Sequence, residues 1–256
     1  MPARADLTGR AAGDTASAVA RQLAIGTVTL SADAPRIVAA GGEAELDALV
    51  TAEDADLVEL RGDLLADPGA DALRALLGRL RAAGRPVILT VRSAAEGGRP
   101  LDEARRRALY AAGLPQADAI DVEIASTALV RELVPEARAA GRTVILSAHV
   151  LDTTPPAAAL LALVDRAQAL GADVTKLATC AREPGDVRTL LEVTLAARPR
   201  NIVTLAMGPL GIARVLFPAA GSLFVYGHVG RPTAPSGQPS VAELAALLRR
   251  LYPARV

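Results

Sequence analysis

The 256-residue chain has no tryptophan, two phenylalanines, three tyrosines, two histidines and one cysteine, and among its 28 basic residues a single lysine, Lys176, stands against arginine everywhere else. Each scarcity excludes something. Few aromatic rings and a net charge of zero leave neither stacking platforms nor an electrostatic footprint for a phosphate backbone, so nucleic acid is not an expected partner. One cysteine, Cys180, cannot make an internal disulfide or a thiolate cage, which points to a reducing compartment, by default the cytoplasm. His149 and His228 lie far apart with no cysteine cluster beside either, so no metal is expected. There is no Gly-x-Ser-x-Gly elbow for a serine nucleophile. Arg or Asp interrupts the alanine-rich stretches every few positions, and no apolar run reaches the roughly 20 residues that span a bilayer. Met1 to Ala20 carries charges without an apolar run behind them, which argues against a signal peptide and for a flexible lead-in over 1–20, with 21–256 as the folded domain.

What is present is apolar and periodic. Hydrophobic residues make up 51% of the chain, enough to exclude global disorder. Short β-branched runs predict strands over Arg36 to Ala40, Leu57 to Asp63, Pro86 to Ser93, Ala119 to Ile124, Val144 to His149, Val174 to Thr179, Asn201 to Met207 and Leu223 to Gly227. Amphipathic helices are predicted over Asp71 to Ala83, Leu101 to Ala112, Thr127 to Ala140, Pro156 to Leu170, Asp186 to Ala197 and Val241 to Leu251. Gly84, Gly113, Gly141 and Gly171 read as helix stops. Eight strands alternating with helices fit a single α/β domain, a (β/α)8 or TIM barrel. An open doubly wound sheet is the alternative, but Ala39-Ala40-Gly41-Gly42 is a poor phosphate loop after the first strand. Ile25 to Leu30 alternates Thr with apolar residues and is expected as a hairpin closing the bottom of the barrel.

Strands packed on both faces have little room for ionisable residues, so those they carry need a reason. Glu59, Arg61 and Asp63 alternate with Val58 and Leu60, hence share one face; so do Asp121 with Glu123, Ser147 with His149, and Val174 with Lys176. Taken singly, structural readings compete: an ion pair for Glu59 and Arg61, carboxylates orienting arginines for Asp121 and Glu123, a strand-end histidine for His149. Asp63 and Asp121 alone read as structural. Together the groups converge on one axis near the ends of their strands, where such barrels build active sites. Lys176 is then a candidate amine nucleophile, a role closed to arginine; His149 is a candidate proton shuttle, and Arg92 and Arg214 are candidate forks for a carboxylate.

At these residues the chain resembles type I 3-dehydroquinate dehydratase, a Schiff-base enzyme of the shikimate pathway. The resemblance runs from about Ile25 to Leu251. It is carried by Val58-Glu-Leu-Arg-Gly-Asp63, Thr90-Val-Arg-Ser-Ala-Ala-Glu-Gly-Gly98, Ile120-Asp-Val-Glu123, Ser147-Ala-His149 with Thr154-Pro155, Gly171-Ala-Asp-Val-Thr-Lys-Leu-Ala178, Met207-Gly208 with Gly211-Ile-Ala-Arg214, Gly221-Ser222 and the Ala234 to Gln238 loop. It implies syn loss of water from 3-dehydroquinate through an imine on Lys176, with His149 as general acid and base and no cofactor. By the same resemblance Arg214 holds the substrate carboxylate, Glu59, Arg61, Arg92, Thr233 and Gln238 contact the rest of the substrate, and Glu96, Asp121 and Glu123 support the charge network. It also implies a homodimer.

The chain departs from the family pattern at several places. Ala40 stands where a serine is usual, Val150-Leu151 replaces Asp-Phe, and Thr233-Ala-Pro-Ser-Gly-Gln238 has Thr for Ser and an extra Ser236 relative to Ser-Ala-Pro-Gly-Gln. His228 has no counterpart and reads as an exposed loop histidine. Two rival readings remain: another class I aldolase-type barrel, with Pro209-Leu-Gly-Ile and Gly221-Ser222 as a phosphate site, or a homologue that binds a quinate-like ligand without turnover.

Overall fold

The computed structural model describes residues 23–232 and 237–253. The lead-in expected over 1–20, and Thr233 and Ser236 of the substrate loop, lie outside the described residues. Two short strands, β1 (Ala24–Ile25) and β2 (Val28–Thr29), pair antiparallel through a turn in which Gly26 has φ +56°, a conformation that costs glycine little. Eight parallel strands follow: β3 (Arg36–Gly41), β4 (Leu57–Arg61), β5 (Val87–Thr90), β6 (Ala119–Glu123), β7 (Thr143–Val150), β8 (Val174–Cys180), β9 (Ile202–Met207) and β10 (Phe224–His228). Each of β3 to β8 hydrogen-bonds to the next in sequence, and β10 pairs with β3. Across the remaining seam Leu223 N donates to Ile202 O (3.0 Å) and Thr204 N to Ser222 Oγ (3.1 Å). The sheet thus nearly closes on itself as a (β/α)8 barrel.

Six helices occupy the segments that the apolar period predicts: α2 (Ala70–Ala82), α3 (Glu103–Gly113), α4 (Thr127–Ala139), α5 (Ala157–Ala169), α6 (Pro184–Ala197) and α8 (Val241–Leu251). Two more, α1 (Leu46–Val50) and α7 (Phe217–Ala220), are too short to display a period. Gly84, Gly141 and Gly171 take positive φ beyond their helices, as stops do. Gly113 does not: it is the last residue of α3, and a Cβ there would lie 2.5 Å from Leu89 Cδ2. It is glycine to let the helix approach β5. Among the described residues no helix is long and apolar enough to cross a membrane.

The strands divide their side chains as period two requires. Val58, Leu60, Leu89, Val122, Leu146 and Leu177 face the helices in one buried cluster; Val38, Leu57, Ile88, Ala119, Ile145, Val174, Val203 and Phe224 fill the barrel in another. Ile25 and Leu30 join the inner cluster, and Thr143 Oγ1 donates to Ala24 O (2.6 Å). The hairpin therefore closes the amino-terminal end, as expected, and the carboxyl-terminal end of the barrel is left to the polar residues.

Candidate active site

Above the apolar filling, the inward positions are Glu59 and Arg61 on β4, Asp121 and Glu123 on β6, Ser147 and His149 on β7, Lys176 on β8 and Tyr226 on β10, joined by Arg92 just past β5. All but His149 are buried. Glu59, Arg61, Arg92, His149, Lys176 and Tyr226 line one cavity of about 550 Å³, its open mouth included.

Lys176, 3% exposed, is the centre of this group. Its Nζ donates to Asp121 Oδ2 (2.6 Å) and Glu59 Oε2 (3.4 Å), and lies 4.1 Å from the centroid of the Tyr226 ring. Asp121 is tied from two further sides, by Ser147 Oγ (2.5 Å to Oδ1) and Arg92 Nη2 (3.1 Å to Oδ2). Burial opposes its charge, but Arg92 and Lys176 outweigh it and hold the carboxyl far below its ordinary range. Asp121 orients Arg92, as its structural reading has it, and is also a fixed anion on the amine. Glu123 accepts from Arg92 Nη1 (2.9 Å), Ser93 N (3.0 Å) and Arg106 Nη2. Arg106, on α3, was not among the residues singled out from sequence. The available signal was its place three and four residues before Leu109 and Tyr110, on the buried helix face. Asp63 keeps its structural reading: it accepts a two-pronged bond from Arg61 (2.8 and 2.7 Å) and one from Arg92 N (3.0 Å).

His149 ends in the same cavity, and Glu96 Oε2 meets both its Nδ1 (2.8 Å) and its backbone N–H (2.9 Å). Burial, aided by Arg92 and Lys176, pushes the imidazole well below its ordinary value, so it is neutral at neutral pH. Burial also raises the Glu96 carboxyl to about 7, against the pull of Arg92. With Glu96 ionised, Nδ1–H donates to it and Nε2 keeps its lone pair for the cavity. The 3-10 turn Ala94–Glu96 that carries this carboxylate is followed by Gly97 at φ +88° and by Gly98, where a Cβ would lie 2.1 Å from Arg92 O. The Glu-Gly-Gly sequence is a backbone requirement for placing Glu96.

The two proposed forks are less open than expected. Both hydrogens of Arg92 Nη1 are used, on Glu123 and on Ser147 Oγ (2.8 Å), and Nη2 already faces Asp121. Arg92 chiefly fixes the carboxylates. Arg214, 1% exposed, donates to three backbone carbonyls, of Gly211 (3.0 Å), Tyr226 (3.1 Å) and Ala206 (2.6 Å). Burial lowers its pKa to about 10, which still leaves it charged at neutral pH. It lines the cavity and keeps a second hydrogen on each terminal nitrogen. Gln238 also lines the cavity despite the extra residue before it, because Gly237 (φ +81°) packs where a Cβ would lie 2.2 Å from Gly208 O. His228 is not a loop histidine; it ends β10, half-buried, with its N–H on Pro239 O (3.1 Å). The phosphate site considered for an aldolase is not formed at Gly221-Ser222: Ser222 precedes β10, at the far end of the barrel, and its hydroxyl accepts from Thr204 N.

Fold and site together define a (β/α)8-barrel enzyme whose cavity holds a buried amine among fixed anions, beside an imidazole–carboxylate pair. Residues 37–254 match the family model of type I 3-dehydroquinase. The 3-dehydroquinate dehydratase of Methanocella arvoryzae is 35% identical over 219 residues, covering 85% of this chain and 97% of its own. That of Klebsiella pneumoniae is 36% identical over 208 residues, 76% of this chain and 82% of its own. Among solved structures, the type I 3-dehydroquinate dehydratase of Clostridium difficile superposes with a TM-score of 0.82 at 27% identity, covering 91% of this chain and 99% of that one. The chain belongs to the type I 3-dehydroquinase family, and with it to the hydro-lyases. A deoxyribose phosphate aldolase from Aeropyrum pernix, at TM-score 0.58 and 19% identity, shares the fold.

Proposed function

We propose that this chain dehydrates 3-dehydroquinate to 3-dehydroshikimate through an imine on Lys176, with His149 as general base and acid. The observation that carries the reading is a buried amine opening into the same cavity as a neutral imidazole held by Glu96. Lys176 Nζ attacks the ketone carbon, His149 relays protons, and loss of water from the carbinolamine leaves an iminium. The iminium withdraws electrons from the adjacent carbon, so Nε2 of His149 can take a proton there, forming an enamine. The enamine expels the hydroxyl one carbon further on, on the same face, and His149 returns the proton to it. Hydrolysis of the conjugated imine restores Lys176, so the net change is loss of one water. Arg214 offers its spare hydrogens to the substrate carboxylate; Glu59, Arg61 and Gln238 contact the hydroxyls, and Arg92, Asp121 and Glu123 hold the charges in place. The same reading carries a place in the shikimate pathway, a cytoplasmic setting and a homodimer.

Formation of the conjugated product can be followed by ultraviolet absorbance. Borohydride added with 3-dehydroquinate should trap a stable adduct on the wild-type chain and none on Lys176→Ala. A chain that turns substrate over without ever being trapped would have to use another mechanism. A chain that is inactive and untrapped would be a ligand-binding homologue.

A further inference from the structure

The proposed chemistry leaves one polar group of the cavity unused. Tyr226 is 4% exposed and lines the cavity from β10, and its hydroxyl is buried with no hydrogen-bond partner among the described residues. Its ring is fully engaged: Lys176 Nζ sits 4.1 Å from the centroid, and Phe224 packs edge-on at 5.7 Å. Phenylalanine would serve both contacts as well. Burial, with the charges of Glu59 and Asp121 nearby, keeps the phenol protonated far beyond its ordinary range; Glu59 is the carboxylate that bears most on the hydroxyl, but it stands beyond direct hydrogen-bond distance and leaves the hydroxyl room for a closer acceptor. The hydroxyl is therefore a donor that keeps its proton and has no acceptor within hydrogen-bond distance among the described residues. Burying such a group unpaired costs stability unless something in the cavity accepts from it. Ala40, on the neighbouring strand and in the same inner cluster, supplies a methyl and no hydroxyl of its own.

We propose that the Tyr226 hydroxyl is a substrate-binding group, donating a hydrogen bond to a ring oxygen of a cyclic polyhydroxy carboxylate while the ring holds the Lys176 amine. The inference rests on the dehydratase reading for its ligand. It makes Tyr226 a positioning residue for the molecule that Lys176 attacks.

The test is Tyr226→Phe, which removes one oxygen and keeps the ring. Quinate, which has the ring hydroxyls and the carboxylate but no ketone, reports contacts without imine formation. In the variant, KM for 3-dehydroquinate and Kd for quinate should rise together by about two- to tenfold, the loss of one neutral hydrogen bond. The borohydride adduct should still form and the melting temperature should not fall. With three tyrosines and no tryptophan in the chain, quinate should also give a tyrosine difference band with wild type that is absent from the variant. Unchanged quinate affinity in Tyr226→Phe, or no tyrosine band in wild type, overturns the proposal. Wild type that binds quinate with the tyrosine band but does not turn over 3-dehydroquinate sinks the reaction and leaves this contact standing.

Discussion

On the proposed mechanism, a histidine and a glutamate joined by one hydrogen bond set the pH dependence of the site. The base form needs the Glu96–His149 pair without its extra proton, so that Nδ1–H is held by the carboxylate and Nε2 is free. Because Glu96 titrates at about 7 and His149 well below its ordinary value, kcat/KM should fall as pH drops below about 7. Glu96→Gln tests the assignment: an amide oxygen accepts from Nδ1–H at any pH, so the acid limb should move to lower pH. An unmoved limb in a pH–rate profile would assign it elsewhere. His149→Ala should lose about 10²–10⁴-fold in kcat yet still be trapped slowly by borohydride, since the amine that forms the adduct remains. Lys176→Arg should give no adduct at all, because guanidinium keeps its proton.

At the scale of elements, glycines decide where functional side chains can go. Gly98 lets the loop after β5 fold back against Arg92 O and bring Glu96 under His149; Gly98→Ala should lower kcat/KM at pH 8 while most of the stability is kept. Gly113→Ala should do the reverse. Its methyl meets the ends of Leu89 and Leu77 (2.5 and 3.0 Å) in the layer between helix and strand, far from the cavity, so denaturant titration should show a loss of about 1–3 kcal/mol with kcat/KM little changed. The long helices and all eight barrel strands were legible in the sequence because burial imposes a period on them, and alternation put Glu59, Asp121 and His149 on the inner face. The 3-10 turn Gly62–Leu64 after β4 and the irregular residues 91–93 after β5 were not legible, since three residues cannot show a period; the strands were accordingly read too far, to Asp63 and Ser93. Arg106 and Tyr226 escaped for a different reason. One looks like any helix arginine and the other like any inward aromatic, and only the tertiary structure brings Glu123 and Lys176 to them.

For the molecule as a whole, the mouth of the barrel is a set of buried charges whose stability depends on every member being present. Asp63 and Asp121 resist burial through Arg61, Arg92 and Lys176, and both titrate below an aspartate's ordinary value of 3.8. A carboxyl with a native pKa below its unfolded one adds stability above the unfolded pKa and loses it as pH falls. Glu96 runs the other way, its raised pKa giving stability that is lost as pH rises from 4.5 toward 7, while the depressed pKa of His149 gives stability that is lost as pH falls below 6.5, so the two oppose each other between pH 7 and 5. The melting temperature should therefore be nearly flat from about pH 7 to 5 and drop steeply below about 4. Asp121→Asn isolates the largest contributor. At neutral pH it leaves Arg92 and Lys176 short of one anion in a buried site, a loss of about 3–5 kcal/mol; its melting temperature should also fall less steeply than wild type below pH 4, because the group that titrates is gone. A variant as stable as wild type at pH 7, with the same acid slope, would mean that Asp121 contributes no net stabilisation and that acid unfolding starts elsewhere in the barrel.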